Sequence, residues 1–158
     1  MYCVLFVCSA NICRSPTAEG VFRQIVTEAD LAARIGVDSA GLHRFHAGKP
    51  PDRRAIDTAK ARGYEIGNLR ARQICMQDFT DFHLILAMDC SHYKQLINTC
   101  PRGMENKIAL FLETAPQFGR MDVPDPYTGG VIDFDYVMDL IEAGSYGWLN
   151  RIKRERFS

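Results

Sequence analysis

The chain has 158 residues, 47% of them hydrophobic, enough for one domain, residues 1–158, around a single core. Nineteen basic residues balance nineteen acidic ones, so no global field favours nucleic acid or an anionic membrane, and attraction for an anionic substrate must be local. The apolar run Cys3 to Cys8 is too short to span a bilayer and follows no basic segment, so neither a membrane span nor a signal peptide is expected.

The first predicted element is a buried strand, Val4-Leu5-Phe6-Val7. A loop from Cys8 to Arg14 follows, and then Ser15-Pro16 reads as an N-cap with proline at the first helical position. No proline occurs from Ser9 to Ser15, so the backbone of Ser9, Ala10, Asn11, Ile12, Cys13, Arg14 and Ser15 can offer N–H groups to an anion. A strand-loop-helix turn of this kind forms a cradle at a helix N-terminus. The ATP-binding form of such a loop needs Gly-x4-Gly-Lys-Ser/Thr, which is absent here.

Two side chains suit a phosphate cradle: a thiol at its start, Cys8, and a guanidinium at its end, Arg14. A free thiol is mostly protonated at neutral pH, whereas inward N–H groups, a helix dipole and a nearby arginine favour the thiolate. The thiolate can attack phosphorus while Arg14 offers a planar fork to two phosphoryl oxygens. A serine in its place would need a separate base. The Ser15 hydroxyl can donate to the sulfur as nucleophile and as leaving group. Asn11 is at ease with positive φ, which a tightly curled loop requires.

Farther along, Thr17 to Ala33 carries Val21, Phe22, Ile25, Val26 and Ala29 at helical spacing. Ile35 to Ala40 is a second strand, so the intervening connection is a parallel crossover. Leu42 to Pro51 is a loop, made basic with its flank by Arg44, Lys49, Arg53 and Arg54. Asp52 caps a helix running through Arg62 and stopped at Gly63. Phe82 to Met88 and Lys107 to Leu112 supply strands three and four, with Asp89 or Ser91 capping the helix between them that carries Tyr93, Leu96 and Ile97. Met121 to Val131 is a second long loop, and Val131 to Lys153 is a closing helix bearing Val137, Leu140, Ile141, Tyr146 and Leu149. The alternation predicts an α/β three-layer sandwich whose four-stranded parallel sheet is flanked by helices.

In the second loop, Pro126 holds Asp125 extended and projects it. Asp-Pro alone is a common turn former. Combined with the cradle at Cys8, it supplies a general acid for the departing ester oxygen, a contribution of roughly 10²- to 10⁴-fold. No cofactor is expected. Cysteines spaced as Cys3, Cys8 and Cys13, with His43 and His46, do not form a zinc pattern.

Val7-Cys-Ser-Ala-Asn-Ile-Cys-Arg-Ser-Pro16, Asp38-Ser39-Ala40-Gly41, Gly48-Lys49-Pro50-Pro51-Asp52, Ala71-Arg72-Gln73 and Pro124-Asp125-Pro126-Tyr127 resemble the low-molecular-weight protein tyrosine phosphatases, in that family's order and over nearly the whole chain. The resemblance implies sheet order 2-1-3-4 and a phosphocysteine intermediate on Cys8. It also implies Asp125 as general acid and then base, Asn11 tied to Ser39 in support of the loop, and Phe45 and Tyr127 walling the cleft. Ile12 stands where phosphoarginine-specific relatives carry threonine, which favours phosphotyrosine. Cys13 suggests reversible oxidative shut-off through a disulfide with Cys8. Partners would be tyrosine-phosphorylated proteins, such as a bacterial autophosphorylating tyrosine kinase, met in the cytoplasm by a monomer or weak dimer.

One departure stands out: Leu69 replaces a histidine that the family often places two residues before Ala-Arg-Gln to join the Asn and Ser network. Two rival functions remain. An arsenate reductase shares the Cys-x5-Arg loop but relays electrons through two further cysteines about seven apart, whereas Cys90 and Cys100 are ten apart. A non-hydrolysing phosphoprotein-binding module would have no need of thiol or acid.

Overall fold

The computed structural model describes residues 1–127 and 129–158, with the backbone alone for Val131 and Ile132. Thr128, within the predicted second loop, lies outside the described residues. The strands are β1 Tyr2–Cys8, β2 Ile35–Gly41, β3 Leu84–Ala87 and β4 Ile108–Leu110, and the helices are α1 Arg14–Glu28, α2 Arg53–Ala61, α3 Met76–Asp81, α4 Cys90–Thr99 and α5 Val131–Arg156. All sheet pairings are parallel, in the order β2-β1-β3-β4. No helix among the described residues is long and apolar enough to cross a membrane.

Strand alternation builds two cores from β1. Val4, Phe6 and Cys8 join α1 and α5 residues on one face, where Phe6 meets Phe22 and Phe111 edge-on at 5.5 and 5.9 Å. Leu5 and Val7 join Phe79 of α3 and Leu96 of α4 on the other. The sheet is therefore buried on both faces, as a parallel sheet requires. The register aligns Cys8 with Gly41 and Val7 with Ala87, so β1, β2 and β3 end together. The loops after them converge on one edge, where sheets of this kind place their ligands.

Several boundaries differ from those expected. Helix α1 begins at Arg14 with Cys13 as its cap residue, so Ser15 and Pro16 sit at its second and third positions. Proline costs nothing there, because the first helical N–H groups have no intrahelical acceptor. The helix stops at Glu28 rather than Ala33: Asp30 turns to φ 59°, and bonds from Asp30 N to Thr27 O and from Leu31 N to Val26 O form a Schellman closure. Strand β4 gives way to a 3₁₀ turn at Phe111–Thr114, whose Phe111 and Leu112 are buried; a short apolar run does not distinguish strand from buried turn. Tyr146 faces solvent on α5, and the unpredicted α3 is one short element whose Asp78 accepts the Cys75 N–H.

Candidate active site

Cys8 ends β1, and the loop curls over its C-terminal edge into α1. Asn11 has φ 59°, the left-handed turn expected of it. Gly41, at the end of β2, permits the curl, since a Cβ there would stand 2.9 Å from both the Ala10 carbonyl carbon and the Ser9 oxygen.

Cys8 is buried, its Sγ 2.9 Å from Ser15 Oγ and 3.5 Å from the Ser15 nitrogen, whose N–H donates to it. Behind the loop, Asn11 Nδ2 donates to Ser15 Oγ at 2.8 Å and to Ser39 Oγ at 2.9 Å, while Asn11 Oδ1 accepts the Arg72 N–H. Ser39 donates to Glu19 Oε1 at 2.6 Å, and Glu19 also pairs with Arg23. Burial pushes the Glu19 carboxyl above its ordinary range, against the pull of Ser39 and Arg23. Leu69, at the position of the expected histidine, packs against the core instead. The network ends on Glu19 from α1.

Arg14 is buried and anchored on one side of its fork. Nη1 donates to Asp89 Oδ2 at 2.8 Å and to Val123 O at 3.0 Å. Asp89 also caps α4, accepting from His92 N and Ser91 Oγ. Burial opposes its charge, yet these bonds and Arg14 hold its carboxyl below the usual range. Asp125 approaches from the second loop, with Oδ2 3.7 Å from Arg14 Nη2 and Oδ1 accepting the Tyr127 N–H. Its side chain is 57% exposed, free to meet a leaving group at the mouth.

One pocket is lined by Cys8, Ser9, Ala10, Ile12, Cys13 and Arg14, with Asp125, Tyr127, His43 and His46 around them. Of the two predicted rim aromatics, Tyr127 lines it, whereas Phe45 is 78% exposed and tilts against His43 at 4.4 Å between centroids. The imidazoles of His43 and His46 occupy that wall. Cys13 is buried beside Cys8, and both are free thiols. Burial, then Asp52, Cys8 and Asp125, push the Cys13 thiol far up, so it holds its proton.

Arg54, expected only as basic surface, joins two loops. It grips Asp52 with two bonds and donates to the carbonyls of Tyr127 and Gly129, and Asp52 N donates to Ile12 O. The cradle and the Asp125 loop are thereby tied together. Those bonds hold the Asp52 carboxyl below its usual range despite partial burial. Glu19, His92 and the joining role of Arg54 escape sequence reading because their partners are distant in the chain. Asp89, three residues before His92, was visible as a cap.

A family model described as low molecular weight phosphotyrosine protein phosphatase matches residues 3–158. The low molecular weight phosphotyrosine protein phosphatase of Schizosaccharomyces pombe is 41% identical, the match covering 88% of this chain and 90% of that protein. The low molecular weight protein-tyrosine-phosphatase YfkJ of Bacillus subtilis is 36% identical across 99% of both, and its crystal structure superposes with a TM-score of 0.92. The crystal structure of a protein tyrosine phosphatase from Entamoeba histolytica, 32% identical, gives 0.95 while covering 99% of this chain and 100% of that one. A family model matching nearly the whole chain, with identity of this level to relatives over most of their lengths, means that the chain belongs to the low molecular weight phosphotyrosine protein phosphatase family.

Proposed function

We propose that the chain is a single phosphatase domain that hydrolyses phosphotyrosine in proteins by way of a phosphocysteine on Cys8. The observation that carries the reading is one pocket holding Cys8, the free edge of Arg14 and the exposed carboxyl of Asp125. Sγ attacks phosphorus, the phosphorus–oxygen bond to the phenol breaks, and Asp125 gives its proton to the departing oxygen. Asp125 then takes a proton from water, which attacks phosphorus and releases the sulfur. Backbone N–H groups of residues 9–15 and Arg14 hold the phosphoryl oxygens.

The burial of Cys8 in a pocket that Tyr127, His43 and His46 also line favours a long aryl phosphate over a short alkyl one. Ile12 in the lining points away from phosphoarginine. A thiol nucleophile suits a reducing compartment such as the cytoplasm. Cys13, on the same loop and lining the same pocket, would on losing its proton condense with a Cys8 sulfenic acid to a disulfide and water, protecting Cys8 from sulfinic acid; peroxide inactivation of the wild type that dithiothreitol reverses, lost in Cys13→Ala, is the expected result.

The arsenate reductase reading has less support: Cys90 opens α4 and Cys100 caps its far end, about 15 Å apart by helical rise and beyond disulfide reach. Steady-state rates on phosphotyrosine, phosphoserine and phosphoarginine peptides test the proposal, with phosphotyrosine expected to dominate. Comparable rates on phosphoserine, or thioredoxin-coupled arsenate turnover exceeding hydrolysis, would reverse it.

A further inference from the structure

The cradle accounts for Arg14 and Cys8 but leaves one buried titratable group unused. His92, the third residue of α4, is 1% exposed and directed at the loop. Its Nε2 lies 2.8 Å from Ser9 Oγ and 3.5 Å from Arg14 Nη2. Its Nδ1 stands 3.3 Å from Asp89 Oδ1, off the line of a hydrogen bond, and has no hydrogen-bond partner among the described residues.

We propose that His92 is a positioning residue for the oxyanion clamp, a neutral imidazole that accepts from Arg14 and Ser9 and so fixes which edge of the guanidinium faces the phosphate. The inference rests on the phosphatase reading above and deepens it.

Donor chemistry assigns the tautomer. A guanidinium has five N–H donors and no acceptor, so a proton on Nε2 would face Arg14 donor to donor. With the proton on Nδ1, the single Nε2 lone pair accepts from Ser9 at 2.8 Å and, in a longer shared contact, from Arg14 Nη2 at 3.5 Å. Nδ1–H lies near enough to Asp89 Oδ1, at 3.3 Å, for the carboxylate's charge to favour it without a hydrogen bond. Burial, then the Arg14 charge, push His92 down to about 4, against Asp89, Asp125 and Asp122, so the ring is uncharged at neutral pH.

The same count settles the clamp. Both Nη1 hydrogens of Arg14 are engaged by Asp89 and Val123, and one Nη2 hydrogen faces His92. Among the described residues the Nε hydrogen has no hydrogen-bond partner and the second Nη2 hydrogen has only the longer contact with Asp125 Oδ2 at 3.7 Å; these two are the pair a phosphoryl group accepts from. Without His92 the Nη2 corner is unheld and the fork can swing about its Asp89 anchor. Ser9, its hydroxyl engaged by the imidazole, ties the first turn of the loop to α4.

The test compares wild type with His92→Phe, which keeps a flat ring but has no acceptor, and His92→Gln, whose amide oxygen reaches the place of Nε2. Circular dichroism melts establish folding, competitive inhibition by inorganic phosphate reads the clamp, and turnover of p-nitrophenyl phosphate separates kcat from KM. A hydrogen bond to a charged group is worth about tenfold or more. A folded His92→Phe is expected to raise the phosphate inhibition constant about tenfold and to lower kcat by more than it raises KM, with His92→Gln recovering to within about threefold of wild type. Phosphate inhibition and kcat unchanged in His92→Phe, or His92→Gln as impaired as His92→Phe, would overturn the proposal.

Should His92→Phe fail to fold, a long-range ¹⁵N–¹H correlation spectrum of the wild type carries the test. A protonated Nδ1 with a bare Nε2 that shifts on adding phosphate is the expected result, and a protonated Nε2 contradicts it. These outcomes in an active wild type bear on His92 alone. A wild type that neither hydrolyses aryl phosphates nor binds phosphate overturns the phosphatase reading and this inference with it.

Discussion

Ser15 Oγ lies 2.9 Å from Cys8 Sγ, and the groups around it leave its hydrogen one strong direction in which to point. Asn11 Oδ1 accepts from Arg72 N, which turns Nδ2 and its two hydrogens toward Ser15 and Ser39. Ser39 passes its own hydrogen to Glu19. Ser15, already an acceptor, keeps its hydrogen for the sulfur, the Ala40 carbonyl at 3.4 Å being the weaker alternative. The Arg72 N–H, seconded by the buried Glu19 carboxyl on α1, thus sets the polarity of a chain of bonds ending at the Cys8 sulfur.

That polarity matters most when the sulfur departs from phosphorus carrying charge. Ser15→Ala is expected to slow breakdown of the phosphocysteine by roughly 10- to 100-fold, the worth of a hydrogen bond to a charged group. Rapid-quench kinetics should show the intermediate accumulating; a variant whose intermediate decays at the wild-type rate would remove this role from Ser15.

Asp125 has a different signature, because a proton donor helps only a leaving group that needs one. Asp125→Ala should lower turnover of phenyl phosphate by about 10²-fold or more and that of a highly acidic nitrophenol ester much less. Equal losses on both would exclude it as the acid.

Gly41 tests the shape of the loop without touching its chemistry. In Gly41→Ala the added methyl would stand 2.9 Å from the backbone of Ser9 and Ala10, so strand and loop must part. A destabilisation of about 1 to 3 kcal/mol by urea titration and a marked loss of phosphate affinity are expected. Wild-type phosphate binding would show that the curl tolerates the methyl.

His92 also predicts how stability responds to acid. Its folded pKa of about 4 lies below the unfolded value, so the unfolded chain takes up a proton that the folded one refuses. The contribution is complete above the unfolded pKa of about 6.5 and is lost as pH falls toward 4, by up to about 3 kcal/mol. Glu19, raised by burial, acts in the opposite sense and loses its contribution as pH rises through its folded pKa. Asp52, Asp78 and Asp89, all lowered, lose theirs at more acid pH. The melting temperature of wild type should therefore fall between pH 6.5 and 4.5 more steeply than that of His92→Gln; parallel slopes would contradict a neutral buried His92.

Much of this arrangement was legible in the chain. The apolar tetrapeptide before Cys8, the asparagine able to turn left-handed and the Asp-Pro after a proline are local signals, and they mark β1, the curled loop and the carboxyl that lines its pocket. The sheet order followed from family resemblance, since periodicity says nothing of which strands are neighbours. Less was legible where the partner is remote. Glu19 reads as an ordinary helical glutamate until β2 brings Ser39 to it, and His92 reads as part of a helix surface until α4 packs beneath Arg14. Ser15-Pro16 misled because its hydroxyl, a fitting cap in isolation, is drawn to the sulfur once the loop closes. Phe45 stands beyond the residues that line the pocket, tilted against His43, a placement that depends on the loop's conformation and that no local pattern encodes.

The central claim is that phosphate passes through a covalent bond to the Cys8 sulfur, and rapid mixing with p-nitrophenyl phosphate followed by acid quench and mass spectrometry tests it most directly. The expected result is a burst of nitrophenol approaching one equivalent per enzyme, with phosphate on the peptide containing Cys8 and neither signal in Cys8→Ser. Hydrolysis with no phosphorylated sulfur, or continued turnover in Cys8→Ser, would contradict the account.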